Sequence, residues 1–240
     1  PLRRDVRSLG RLLGEVLKEQ VGPELFARVE QLRVLAIEHR ELQPAHEQGV
    51  EGAADPYQLM ERARQLVSQV SVTEAHQLTK AFATYFELTN LAENNHRKRR
   101  RGAAEILAPR APRPGSMRDT LRRMREAGIS AETAREALRR ITITPVFTAH
   151  PTEVARRTVL FKRQRIAAEL EKLDQLPLPD SAALRAQEAI FAEITALWQA
   201  DEVHRRKPTV RDEIKMGLDY YPSVLIATLP KVYDEIAAAF

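Results

Sequence analysis

The 240-residue sequence contains no cysteine, so it has neither a disulfide framework nor a thiolate metal site. It also lacks any apolar run near the roughly 18 residues that a membrane-spanning helix needs. No charged-then-apolar leader opens it, and the cytoplasm is the expected location. No period recurs along the chain, which excludes a solenoid. β-branched runs are nearly absent too, and "ITITPVF" at 141–147 is the one convincing candidate for a strand.

What remains is a globular composition, 43% hydrophobic and 30% charged, enough to bury a core. The chain opens on Pro1 and stops at Phe240 inside an apolar-periodic run of Val232, Ile236, Ala239 and Phe240. It is therefore expected to be a fragment of a longer polypeptide. The net charge of +5 would suit a nucleic-acid or anionic partner. However, 30 of the 38 basic residues are arginines spread along nearly every helical segment beside glutamates, the pattern of solvated faces with i,i+4 pairing.

Helical periodicity dominates. Val6, Leu9, Leu12, Leu13 and Val16 form one apolar stripe, Gly22-Pro23 interrupts it, and Leu25, Val29, Leu32, Leu35 and Ala36 form the next. "QPAHEQGVEGAADP" reads as a loop of about a dozen residues, Pro56 opens a third helix, and Ser71 caps a long run through "AFATYFELTNLAENNHRKRR". The alanine-, arginine- and proline-rich stretch from 102 to 116 reads as a loop. Ser116 with Asp119 predicts a capping box, Gly128 a helix end, and Ser130 another cap. Beyond the β-branched run, Val159, Ile166, Leu170 and Leu173 mark a helix, as do Leu184, Ile190, Ile194, Leu197 and Trp198. Pro222 and Pro230 are expected to start or kink the last helices. The resulting division is 1–101, an amino-terminal helical region; 102–118, a Pro/Arg-rich connecting loop; and 119–240, helices around the β-branched segment.

Several clusters invite chemistry. His150 lies where a strand would end and a helix begin, with Pro151 suited to the first helical position and Glu153 to the first turn. A helix start gathers free backbone donors and disfavours an imidazolium, so a neutral His150 could serve an anionic ligand. A histidine used simply as a helix cap accounts for the position equally well. Arg156 and Arg157 could clamp an oxyanion, although adjacent arginines cannot both face one site on a helix. His150-x-x-Glu153 has half the spacing of a metal site and no second pair nearby. "HRKRRR" at 96–101 could bind nucleic acid, but it ends a helix, where cations suit the dipole, and no aromatics interleave for stacking. Asp201-Glu202, after Trp198, could orient basic groups, or could tie a helix end to its neighbour. His39, His46, His76 and His204 read as surface or capping groups.

The stretch "VFTAHPTEVARRT", 146–158, resembles the first signature of the phosphoenolpyruvate carboxylase family, with six consecutive residues from Thr148 to Glu153 and Arg156-Arg157-Thr158 in register. "LRRDVRSLGRLLGEVL", "AFATYFELTNLAENNHR", "LWQADEV" and "KPTVRDEI" resemble the family's amino-terminal half in the same order. The resemblance implies a mainly α fold: a helical bundle leading into the first strand-helix element of an α/β barrel, with 119–240 as the start of the barrel region. It implies a cytoplasmic, allosteric, tetrameric lyase that joins bicarbonate to phosphoenolpyruvate, giving oxaloacetate and phosphate. His150 would be the catalytic residue at the carboxyphosphate stage. The Mg2+ or Mn2+ cofactor would be bound by residues outside this sequence, because the family's Gly-Asp-Arg-Asp-Gly and Gly-Tyr-Ser-Asp-Ser stretches are absent. Neither nucleic acid nor membrane is an expected partner. Two other readings remain: a phosphoryl carrier that is phosphorylated covalently on His150, and a helical nucleic-acid-binding module built around "HRKRRR".

Overall fold

The computed structural model describes residues 1–47, 56–107, 114–144, 146, 157–175, 177–200 and 209–238, and they are almost wholly helical. The helices are α1 (Leu2–Val21), α2 (Pro23–Glu47), α3 (Pro56–Ser68), α4 (Val72–Leu107), α5 (Met117–Glu126), α6 (Ala131–Arg139), α7 (Arg157–Leu173), α8 (Asp180–Gln199), α9 (Val210–Tyr220) and α10 (Ala227–Ala237). A π-helical turn, Tyr221–Ile226, joins the last two. The chain divides into two compact units: Pro1–Arg99 with Thr158–Ala200, and Arg100–Arg157 with Asp201–Phe240.

The first unit is built on the apolar stripe of α1. Leu9, Leu12, Leu13, Val16 and Leu17 are buried together with Leu25 and Val29 of α2 and with Leu78, Ala81, Leu88 and Ala92 of α4. Ile166 and Leu170 of α7 and Ile190, Ile194 and Trp198 of α8 complete this core. Each fully buried aliphatic side chain contributes about 1.5–3 kcal/mol, so helical phase alone selects which faces meet. Two glycines set the spacing of α1 from its neighbours. A Cβ on Gly14 would lie 3.0 Å from the Phe26 ring, and one on Gly10 would lie 3.4 Å from the Tyr85 ring.

Two helices expected with the 119–240 region, α7 and α8, thus share a core with α1 and α4. Leu184, one of the apolar residues that mark α8, is exposed. α2 runs on through Gln43–Glu47, where a loop was expected, and α4 runs on to Leu107, where the connecting loop was expected to begin at 102. The second extension has a simple cause: Gly102–Leu107 holds mostly strong helix formers, and the prolines that stop a helix begin only at Pro109.

In the second unit α5 packs against both α6 and α10. Ser116 Oγ accepts from Asp119 N at 3.1 Å, while the Asp119 carboxylate turns back to Gly115 N at 3.2 Å rather than to the capping residue, so the expected box is displaced by one position. That bond and the Arg122 guanidinium at 2.7 Å hold the Asp119 carboxyl below its ordinary pKa, the Arg122 bond being the larger cause. Gly128, at φ 78°, closes α5 with Ile129 N donating to Met124 O at 3.0 Å. Ser130 Oγ caps α6, and Thr209 with Asp212 forms a reciprocal box at α9. Pro222 falls in the π-helical turn, the kind of interruption that accommodates a missing backbone donor. Ile141–Thr144 and Val146 belong to neither helix nor strand, so the expected strand is not formed there. An isolated strand leaves its peptide groups unpaired, and no partner strand exists among the described residues.

Ile190 is 1% exposed and Met60 is 54% exposed. Ile190→Ala is expected to lower unfolding free energy by about 2–5 kcal/mol and Met60→Ala by less than about 0.5 kcal/mol, measured by urea denaturation.

Candidate active site

His150 and its flanks Thr148–Glu153 and Arg156 lie outside the described residues, as do His204 and Asp201-Glu202, whereas His46 falls in the last turn of α2. What the structure does define is the helix that follows the histidine motif. From Thr158 onward α7 is fixed to the first unit. Its buried face carries Val159, Ile166 and Leu170, with Ile166 fully enclosed. On an adjoining face, Lys162 Nζ and Arg165 Nε lie 2.9 and 2.7 Å from the two oxygens of Glu193 on α8. Glu193 is only 5% exposed. Arg163 reaches Glu87 of α4 at 2.7 Å, and Lys98 of α4 pairs with Glu171. Four ion pairs therefore set the rotation of α7 as well as its depth.

The far end of α7 is held by a second, part-buried cluster. Arg99 bridges Asp174, at 2.8 Å, and Asp5 of α1, at 2.6 Å. Asn95 donates to the other Asp174 oxygen at 2.8 Å, and Arg4 adds a contact to each carboxylate. Burial opposes the Arg99 charge, yet the bonds to Asp174 and Asp5 outweigh it and raise its pKa above the ordinary value. Three segments distant in sequence thereby meet at one guanidinium, whose planar fork suits two carboxylates. At the opposite end of the unit, Lys80 Nζ donates to Ala200 O at 2.8 Å, capping α8, and stands 5.3 Å from the centre of the Trp198 ring.

These contacts also account for half of the basic run 96–101. Arg97 pairs with Glu93, Lys98 with Glu171, and Arg99 with two carboxylates. The helix-end reading of this run thus has specific acceptors within the unit. His76 is exposed and His39 half-buried. Asp5, Asn95 and Glu193 were not singled out from the sequence. Their signal was phase: Asp5 lies four residues before Leu9, and Glu193 lies between Ile190 and Ile194, so a charged residue occupies a core-facing position in each case.

Among the described residues, no group of three or more histidine, aspartate and glutamate side chains converges as a metal site. The buried carboxylates are neutralised by arginine and lysine instead. These residues do not fit a divalent cation. Among the described residues, no helix is long and apolar enough to cross a membrane.

The signature at Thr148–Glu153 and a helical frame over the described residues point to one family of proteins. The family model for phosphoenolpyruvate carboxylase matches residues 2–240, and the chain belongs to this family. It is 37% identical over 240 residues, all of this chain, to a phosphoenolpyruvate carboxylase of Xanthomonas euvesicatoria pv. vesicatoria, and covers 25% of that protein. It is 39% identical over 241 residues, 99% of this chain, to one of Roseiflexus castenholzii, covering 24% of it. With one of Thermus thermophilus the identity is 37% over 241 residues, covering 99% of this chain and 25% of that protein. The chain thus spans about a quarter of the length of these relatives.

Removing one partner from a buried ion cluster strands the others. Glu193→Ala is expected to cost about 3–5 kcal/mol of stability, against less than about 1 kcal/mol for the exposed pair variant Glu132→Ala, both by chemical denaturation.

Proposed function

We propose that this chain is the amino-terminal part of an enzyme that carboxylates phosphoenolpyruvate with bicarbonate, yielding oxaloacetate and phosphate. The observation that carries the proposal is the family match over residues 2–240. The six-residue match Thr148–Glu153 lies within it.

In this reading, bicarbonate attacks the phosphoryl group, giving carboxyphosphate and the enolate of pyruvate. Carbon dioxide released from carboxyphosphate is then captured at the enolate carbon. His150 is the catalytic residue of the carboxyphosphate and carboxylation stage. A neutral imidazole suits that task, because it can hydrogen-bond an anion without the penalty that a helix start imposes on a cation. The anchoring of α7, the next helix in sequence, by Glu193, Glu87 and Lys98 supports this role, since a histidine acting on a short-lived species needs a fixed base. In this reading the barrel that completes the active site is contributed by further polypeptide. The exposed apolar residues of α9 and α10, among them Ile214, Leu218, Leu229 and Tyr233, are consistent with that larger assembly.

The metal, Mg2+ or Mn2+, belongs to residues outside this chain and would supply neutralisation of phosphate and enolate charge. The active form is a cytoplasmic, allosterically regulated homotetramer.

The test uses the full-length polypeptide carrying His150→Asn. Oxaloacetate formation is expected to fall by about a hundredfold or more, while folding and phosphoenolpyruvate binding persist. Carboxylation at the wild-type rate would overturn the role of His150. Acid-labile phosphate on His150 after incubation with phosphoenolpyruvate would establish the phosphoryl-carrier reading instead.

A further inference from the structure

A groove of about 800 Å³ runs between α1, α2 and α4 in the first unit. Its floor is apolar and partly aromatic, with Phe26, Phe82 and Tyr85 against the α1 backbone at Gly10 and Gly14. Its rim is cationic. Arg3, Arg7 and Arg11 recur at i,i+4 along α1, and Lys18, Arg33 and Arg40 line the same groove against two carboxylates, Glu15 and Glu30.

Both carboxylates are already engaged. Arg11 Nη1 donates to Glu15 at 2.7 Å, and Arg33 holds both Glu30 oxygens at 2.8–3.1 Å. Arg3, Arg7 and Arg40 have no hydrogen-bond or carboxylate partner among the described residues. Because Phe26 meets Gly14 and α2 folds back along α1, residues farther along α2 fall opposite earlier residues of α1. Arg33 and Arg40 thus belong to the end of the groove that holds Arg3 and Arg7. Like charges at i,i+4 repel, and the start of α1 adds the positive end of its dipole. An anion would relieve that repulsion, and the aromatic floor would shield one side of the ion pair from water.

We infer that this groove binds a small amphipathic organic anion, its phosphate or carboxylate group held by Arg3, Arg7 and Arg40 and its apolar body lying on Phe82 and Tyr85, since the Phe26 ring is already faced by Lys18 at 4.6 Å. The two halves of the site are complementary in chemistry. The arginines offer forked donors to an oxyanion, and the rings offer a face for a flat or acyl body. Neither half suffices alone: inorganic phosphate leaves the floor wet, and a neutral aromatic leaves the guanidinium groups unpaired.

The test is titration of the full-length polypeptide with 1-naphthyl phosphate, followed by naphthyl fluorescence and calorimetry in the presence of saturating phosphoenolpyruvate. One saturable site is expected, with inorganic phosphate and 2-naphthol each about tenfold weaker or worse. Arg3→Ala/Arg7→Ala/Arg40→Ala should weaken naphthyl phosphate about tenfold or more. Arg123→Ala/Arg125→Ala/Arg139→Ala, which removes the same three charges from exposed positions of α5 and α6, should leave binding unchanged. Absence of saturable binding, or equal binding by both variants, would overturn the inference. So would concentration-dependent self-association that the triple variant abolishes, since a second copy would then be the occupant. None of these readouts depends on carboxylation.

Discussion

One guanidinium coordinates the first unit. Arg99 draws together Asp5 near the start of α1, Asp174 just after α7, and its own helix α4, all within a few ångströms and largely away from water. Apolar burial would pack these helices but is tolerant of small slips, because one leucine can replace another against a smooth face. A part-buried guanidinium between two carboxylates is not tolerant. If α4 slid by one residue, about 1.5 Å, the fork would lose its acceptors and leave charges stranded. Hydrophobic phase therefore decides which faces meet, and Arg99 decides the register at which they do.

That division explains which parts of the architecture can be read from the residues. The stripes of α1, α7 and α8 follow directly from helical periodicity, and Leu9, Val16, Ile166 and Ile194 are buried as their phase requires. Caps at Ser71, Ser116, Ser130 and Gly128 are local chemistry and occur where their signals stand. Errors arise where tertiary context decides. Gly102–Leu107 is helical because the long helix before it has already paid nucleation. The β-branched run at 141–147 has strand composition, but composition cannot supply a neighbouring strand.

The polar core is a subtler case. Asp5 and Glu193 look like surface carboxylates when arginine and glutamate alternate along every helix. Only their phase, shared with Leu9 and with Ile190 and Ile194, distinguishes them. Among the described residues, arginines that look like solubilising charge fall into at least three kinds: pairs on open faces such as Arg135 with Glu132, part-buried register-setting groups such as Arg99, and rim residues such as Arg3 and Arg7. Sequence statistics merge these populations, whereas burial and distance separate them.

α7, the helix that follows the histidine motif in sequence, is restrained in two independent ways. α7 resists rotation because Lys162 and Arg165 flank one buried carboxylate, and it resists translation because Asp174 is tied to Arg99 at its far end. The two restraints lie on different faces and at different heights, so neither a twist nor a slide relieves both. Register of the amino-terminal helices and placement of α7 are consequently one physical problem, solved by charged side chains inside the unit rather than by apolar packing alone.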